Sequence, residues 1–163
     1  MMLIYWSKAA IFLLAAFVVS CSSERAENNV KYAYIETDDG VLLHYTESGA
    51  GDDVLIAPVG FYLEPHLLEP LSKNRRVIMY DPRNRGRSGA GPLETATLDY
   101  IIKDLEFLRA SLGIEKMALL GWSGLGKEMA AYTLRYPERV TRLIQMSPVP
   151  PAASIMREAG GDD

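Results

Sequence analysis

One serine stands out for the company it keeps. In GWSGLG, residues 121 to 126, Ser123 is flanked by Gly121, Gly124 and Gly126, with the apolar run KMALL before it and the helix-like segment KEMAAYTLRY after it. A turn from strand to helix that projects a side chain forces strained backbone angles and brings two backbones close together, and small neighbours relieve that crowding. The chemistry such a serine could perform is nucleophilic attack on an acyl carbon. The start of the following helix offers unpaired N–H groups to the oxyanion that forms, with Gly124 N–H as the first donor. A second donor is expected from the loop after the strand DVLIAPV, where Gly60 permits close approach and Phe61 N–H is the candidate.

A serine hydroxyl needs a base, and the base needs an orienting acid. The chain has two histidines, His44 and His66, and both precede Ser123. His44 falls in a strand and reads as a surface residue; His66 is the more interesting of the two, because the loop before it should pass beside Ser123, although packing and solvent exposure explain it equally well. Downstream carboxylates are Glu128, on the helix after the serine, Glu138, beside Pro137, and Glu158, Asp162 and Asp163, in the tail. None sits directly at the end of a later strand. A complete triad is therefore not expected from these residues.

The elements that must hold Ser123 are legible from periodicity. VKYAYIET and VLLHYTES flank Asp38-Asp39-Gly40, a hairpin signal. DVLIAPV and RVIMYDP read as strands, the first buried on both faces, with a short helical piece from His66 to Asn74 between them. Thr97 caps a helix in which Leu98, Ile101, Ile102, Leu105, Leu108 and Leu112 recur at helical spacing, with Asp99 in its first turn, and Gly113 ends it. The strand KMALLGW, a helix from Gly124 to Tyr136, and the strand RLIQMSP follow. The pattern predicts an α/β fold: an antiparallel entry hairpin, then parallel strands with helices on both faces, with function at the carboxyl ends of the strands.

These features in this order resemble the α/β-hydrolases of the esterase, lipase and proline iminopeptidase kind. The resemblance covers Val30 to Pro151. YDPRNRGRS, Tyr80 to Ser88, is similar to the family's Asp-x-Arg-Gly-x-Gly-x-Ser loop, and GWSGLG to its G-x-S-x-G turn, with Leu125 at the second small position and the glycine one place later. The resemblance implies hydrolysis of an ester, an amide or an N-terminal prolyl peptide bond, with Ser123 as nucleophile, Phe61 and Gly124 N–H as the oxyanion hole, and no metal or organic cofactor. Haloalkane dehalogenases fit less well, because their attacking group is a carboxylate where this chain has Ser123. The family's chain order is serine, acid, histidine. The expectation is a form truncated before the last strands, with little or no activity by itself. Asp81, Arg83, Gly86 and Ser88 read as a loop that ties itself down, Trp122 as a wall, and Met129 and Tyr132 as packing.

Composition bounds the partners. The chain has 163 residues, 48% hydrophobic and 23% charged, with a net charge of −4, so it is globular and offers no basic face for nucleic acid. Cys21 is the single cysteine, which excludes an internal disulfide. Lys8, the apolar run Ala9 to Val19 and small Ser20 form a secretory signal pattern over residues 1–20, and VVSC resembles a bacterial lipoprotein signal that lipidates Cys21, the alternative being a simple signal peptide with Cys21 left as an idle thiol. The run is shorter than the ~20 apolar residues a spanning helix needs. Residues 21–29 then form a polar tether, 30–151 a partial hydrolase domain and 152–163 a disordered or frayed tail. Export across the inner membrane to the cell envelope, anchored by lipid and facing the periplasm, is the expected location. The rival reading is a non-catalytic envelope lipoprotein that uses the same sheet as a binding module.

Overall fold

The computed structural model describes residues 30–59 and 69–149. Cys21, Gly60, Phe61 and His66, the leader, the tether from 21 to 29 and the tail from 152 lie outside the described residues. Within them, the strands are β1 (Lys31–Glu36), β2 (Leu42–Ser48), β3 (Val54–Pro58), β4 (Arg76–Tyr80), β5 (Met117–Trp122) and β6 (Val140–Met146), and the helices are α1 (Leu98–Ser111) and α2 (Leu125–Arg135). A 3-10 turn, Glu69–Asn74, enters β4.

The strands form one mixed sheet in the order β1-β2-β4-β3-β5-β6. β1 and β2 are the antiparallel entry, with Tyr34 opposite His44, and β2 runs antiparallel to β4, with Tyr45 opposite Tyr80. From β4 across β3 and β5 to β6 every neighbour is parallel. The apolar run VLIAP becomes β3, buried along its whole length, because it has a strand on each side and its alternating side chains join a buried apolar cluster on each face.

Alternation along the strands divides the interior in two. Ile56, Ile78, Tyr80 and Leu119 face α1 and α2 and pack with Ile102, Leu105, Leu108, Met129 and Tyr132. Leu55, Ala57, Val77, Met79, Ala118 and Leu120 form a second cluster, with Val59 and Trp122 at its border. α1 starts where Thr97 accepts a hydrogen bond from Tyr100 N–H and stops at Gly113, whose φ of +67° suits glycine. Leu98, the first apolar position of the helical spacing, is exposed rather than buried, because the first turn overhangs the packed stripe.

The loop between β4 and α1 folds back over β2. Arg83 is buried and forks onto Asp104 of α1 at 2.7 and 2.6 Å, and onto Asp39 of the entry hairpin turn at 2.9 and 3.2 Å. Its guanidinium also lies over the Tyr100 ring, 4.6 Å from the centroid. Asn84 adopts a left-handed φ of +61°, and its side-chain oxygen accepts the Gly91 N–H, a local bond that supports this conformation. Gly86 is required twice over: its φ is +56°, and a Cβ there would meet Asp81 Oδ1 at 2.2 Å.

Candidate active site

Ser123 sits where β5 meets α2, with a φ of +52°. For a serine that left-handed conformation costs about 1–3 kcal/mol, so the surrounding structure must enforce it. The enforcement is visible on both sides. Ser123 N–H donates to Met146 O of β6 at 3.0 Å, which pins the turn to the sheet, and Ser123 O accepts Gly126 N–H at 3.1 Å, which starts the helix. A Cβ on Gly121 would lie 2.6 Å from Gly126 Cα and 3.1 Å from Met129 Cγ, so strand and helix cross in contact at this point. A Cβ on Gly126 would find nothing nearer than 3.8 Å. The close contact therefore falls between Gly121 and Gly126, and Leu125 at the intervening position is compatible with it.

The result is a half-buried serine at the amino end of α2, beside an exposed Gly124 in helical geometry. Among the described residues, neither the Ser123 hydroxyl nor the Gly124 N–H has a hydrogen-bond partner. A free hydroxyl, a free amide and the positive end of a helix dipole converge there, an arrangement that favours negative charge developing on a bound carbonyl oxygen. Phe61, the expected second donor, and His66 lie outside the described residues.

His44 is not the strand-surface residue the sequence pattern predicts. It is 3% exposed, and its Nδ1 lies 2.9 Å from Asp81 Oδ2. The reason is the returning loop: Asp81 N–H donates to His44 O, His44 N–H to Ser88 Oγ, and the Ser88 hydroxyl to Asp81 O. β2 is also an inner strand, flanked by β1 and β4, so a side chain of the neighbouring strand stands beside His44 on the same face. The Tyr34 ring closes over His44 with centroids 5.1 Å apart. Three strand spacings separate β2 from β5, about 14 Å, so His44 is no base for Ser123.

Glu128, five residues after Ser123 on α2, is buried and paired with Arg85 at 2.8 Å. Burial pushes its carboxyl upward, with Arg85 pulling the other way. Its Oε2 and the Tyr80 hydroxyl are buried without hydrogen-bond partners among the described residues. Position on a helix does not disclose this; the Arg85 pairing depends on a loop some forty residues away in sequence. Asp81, Arg83, Gly86 and Ser88 do tie the loop down, and Met129 and Tyr132 are core residues. No group of His, Cys, Asp and Glu among the described residues is arranged to hold a metal ion.

Comparison with known proteins agrees with this architecture. The family model described as the alpha/beta hydrolase fold matches residues 45–161, and the chain belongs to that family. It is 30% identical over 129 residues to the bifunctional esterase/perhydrolase of Acinetobacter calcoaceticus, a match covering 72% of this chain and 45% of that protein. It is 27% identical over 140 residues to epoxide hydrolase 3 of Xenopus tropicalis, covering 82% and 38%. Among solved structures, a hydrolase from Pseudomonas aeruginosa PA01 superposes with a TM-score of 0.64 at 27% identity, covering 76% of this chain and 49% of that one. The chain thus spans less than half the length of each of these relatives.

Proposed function

We propose that Ser123 is the nucleophile of a hydrolase acting on an ester or an amide, a prolyl peptide bond included, with Gly124 N–H and Phe61 N–H as oxyanion donors. The observation that carries this reading is the left-handed Ser123 between β5 and α2, with its hydroxyl unbonded and its neighbour's amide free among the described residues. The likeness to an esterase/perhydrolase supports the reaction class. Attack by Oγ on the carbonyl carbon forms the acyl-enzyme and expels the alcohol or amine; water then releases the acid. Both half-reactions need a base, and no histidine follows Ser123 in these 163 residues. By themselves they turn over little or no substrate, because loss of the base removes several orders of magnitude while oxyanion stabilisation survives.

A fluorophosphonate probe tests both parts. Slow labelling that disappears in Ser123→Ala is the expected result. Labelling that persists in that variant overturns the nucleophile assignment, and labelling at the rate of a complete serine hydrolase overturns the claim of low turnover. The same reading places the chain at the cell envelope through a lipid on Cys21; incorporation of radiolabelled palmitate, lost in Cys21→Ala, tests that separately.

A further inference from the structure

α2 buries Gly126, Met129 and Tyr132, and among them it also buries a carboxylate, Glu128. Glu128 Oε1 lies 2.8 Å from the Arg85 guanidinium, which fastens the loop after β4 to the helix after β5. Its Oε2 is buried without a hydrogen-bond partner among the described residues, and so is the hydroxyl of Tyr80 at the end of β4, whose pKa is pushed upward by burial and then by the Glu128 charge. An apolar side chain generally stabilises such a position as well as a buried ion pair does, so stability alone does not account for Glu128. Its place on the helix points elsewhere. Glu128 is in the first turn of α2, four residues after the Gly124 cap, about 6 Å along the axis. The amino end of the helix is the positive end of its dipole, and an ionised carboxylate this near weakens the potential that Gly124 N–H offers an oxyanion.

We infer that Arg85 is a positioning residue for the chemistry of Ser123: by holding Glu128 and cancelling its charge, it preserves the positive potential at the amino end of α2 where the oxyanion forms. The inference rests on Ser123 being the nucleophile. Neither side chain acts on the reacting atoms directly; Arg85 acts through Glu128, and Glu128 through the field of α2. An uncancelled unit charge about 10 Å from the oxyanion, at an effective dielectric of about 20, slows attack on the order of ten-fold. The Arg85 side chain is 43% exposed and that of Glu128 only 10%, so water screens the cation more than the anion, and direct pairing is what brings the two charges into balance. No other described group is placed to do this. β5 carries no ionisable side chain, and Tyr80 of β4 is neutral. On α1, Asp104 is held by Arg83 and Glu106 by Arg109. Lys127 of α2 and Arg142 of β6 are exposed, and Glu138 and Arg139 after α2 pair with each other.

The test follows the rate of fluorophosphonate labelling of the full chain from pH 5.5 to pH 9. Arg85→Met is expected to label about ten-fold more slowly than the parent at pH 9. Burial pushes the Glu128 carboxyl upward and Arg85 pulls against it, so without Arg85 the carboxyl takes up its proton at higher pH than in the parent, and the gap closes as pH falls through that titration. Arg85→Met combined with Glu128→Gln labels within about three-fold of the parent at every pH, because no stranded charge is left. Arg85→Lys, which keeps the cation, recovers most of the loss at pH 9. Glu128→Gln alone labels at least as fast as the parent, and slower labelling there counts against the inference. A clamp with no electrostatic part would leave the double variant as slow as Arg85→Met and the gap indifferent to pH; either result overturns the inference. Recovery of Arg85→Met at low pH also shows that the variant is folded. Labelling that persists in Ser123→Ala removes the nucleophile and this inference together, whereas labelling that depends on Ser123 with a gap indifferent to pH removes the inference alone.

Discussion

Replacing Gly121 by alanine is the sharpest test of the turn that holds Ser123. The new methyl would lie 2.6 Å from Gly126 Cα and 3.1 Å from both Gly126 N and Met129 Cγ. Two of those three neighbours are backbone, so the clash is not relieved by turning a side chain; α2 must move away from β5. Overpacking of this kind costs about 1–3 kcal/mol, and a backbone clash belongs at the upper end. For a chain of this size that is a fall in Tm of about 10 °C. Gly126→Ala is the control. Its methyl meets only ordinary contacts, Gly121 O at 3.8 Å and Gln145 Cδ at 3.9 Å, and alanine is the better helix former by up to about 1 kcal/mol. Differential scanning calorimetry of both variants separates the possibilities. A Gly121→Ala protein melting within about 2 °C of the parent would refute the crossing, and equal losses in both would show that glycine flexibility, not contact, is what matters.

Three further outcomes are expected. Ser123→Gly relieves the left-handed strain and stabilises the fold by about 1 kcal/mol while Ser123→Ala does not; the idea fails if the two melt together. Arg83→Met strands the buried Asp104 carboxylate and costs about 3 kcal/mol or more in urea unfolding, and Arg83→Lys recovers under half of it, since an ammonium cannot fork onto two carboxylates; a loss below about 1 kcal/mol for Met contradicts this. The Arg109 fork holds the Glu106 carboxyl below its ordinary range, against the effect of burial and with help from the Tyr132 hydroxyl, so the ionised pair stabilises the fold above that range and the contribution fades as pH falls through it. The stability gap between parent and Glu106→Gln is therefore wide at pH 7 and narrow at pH 3, and a gap independent of pH would show that the charge is not the source.

How much of this was written in the chain depends on the range of the interaction. β5, α1 and the serine turn are encoded locally: an apolar run, a Thr97 cap with Asp99 behind it, and glycines spaced around one hydroxyl. Each signal acts within a few residues, and each element appears within a residue or two of its expected place. Leu98 departs from the pattern because periodicity marks a stripe but not where the stripe ends. The burial of His44 and of Glu128 was not legible. Each depends on one loop returning across the sheet to place Asp81, Ser88 and Arg85, and nothing near His44 or Glu128 in the sequence reports that return. The pairing of Gly121 with Gly126 lies between these cases: both glycines are conspicuous, but only the crossing distance shows that the first is indispensable and the second is not.

From its own loop the Arg83 fork joins two distant places, the entry hairpin at Asp39 and α1 at Asp104. An outlying hairpin would ordinarily open before the rest of a sheet, exposing its amides on its own timescale. Here its tip is tethered to a helix that begins nearly sixty residues later, so the expected outcome in hydrogen exchange is that the amides of the hairpin tip and of the first turns of α1 open together, and that Arg83→Met uncouples them.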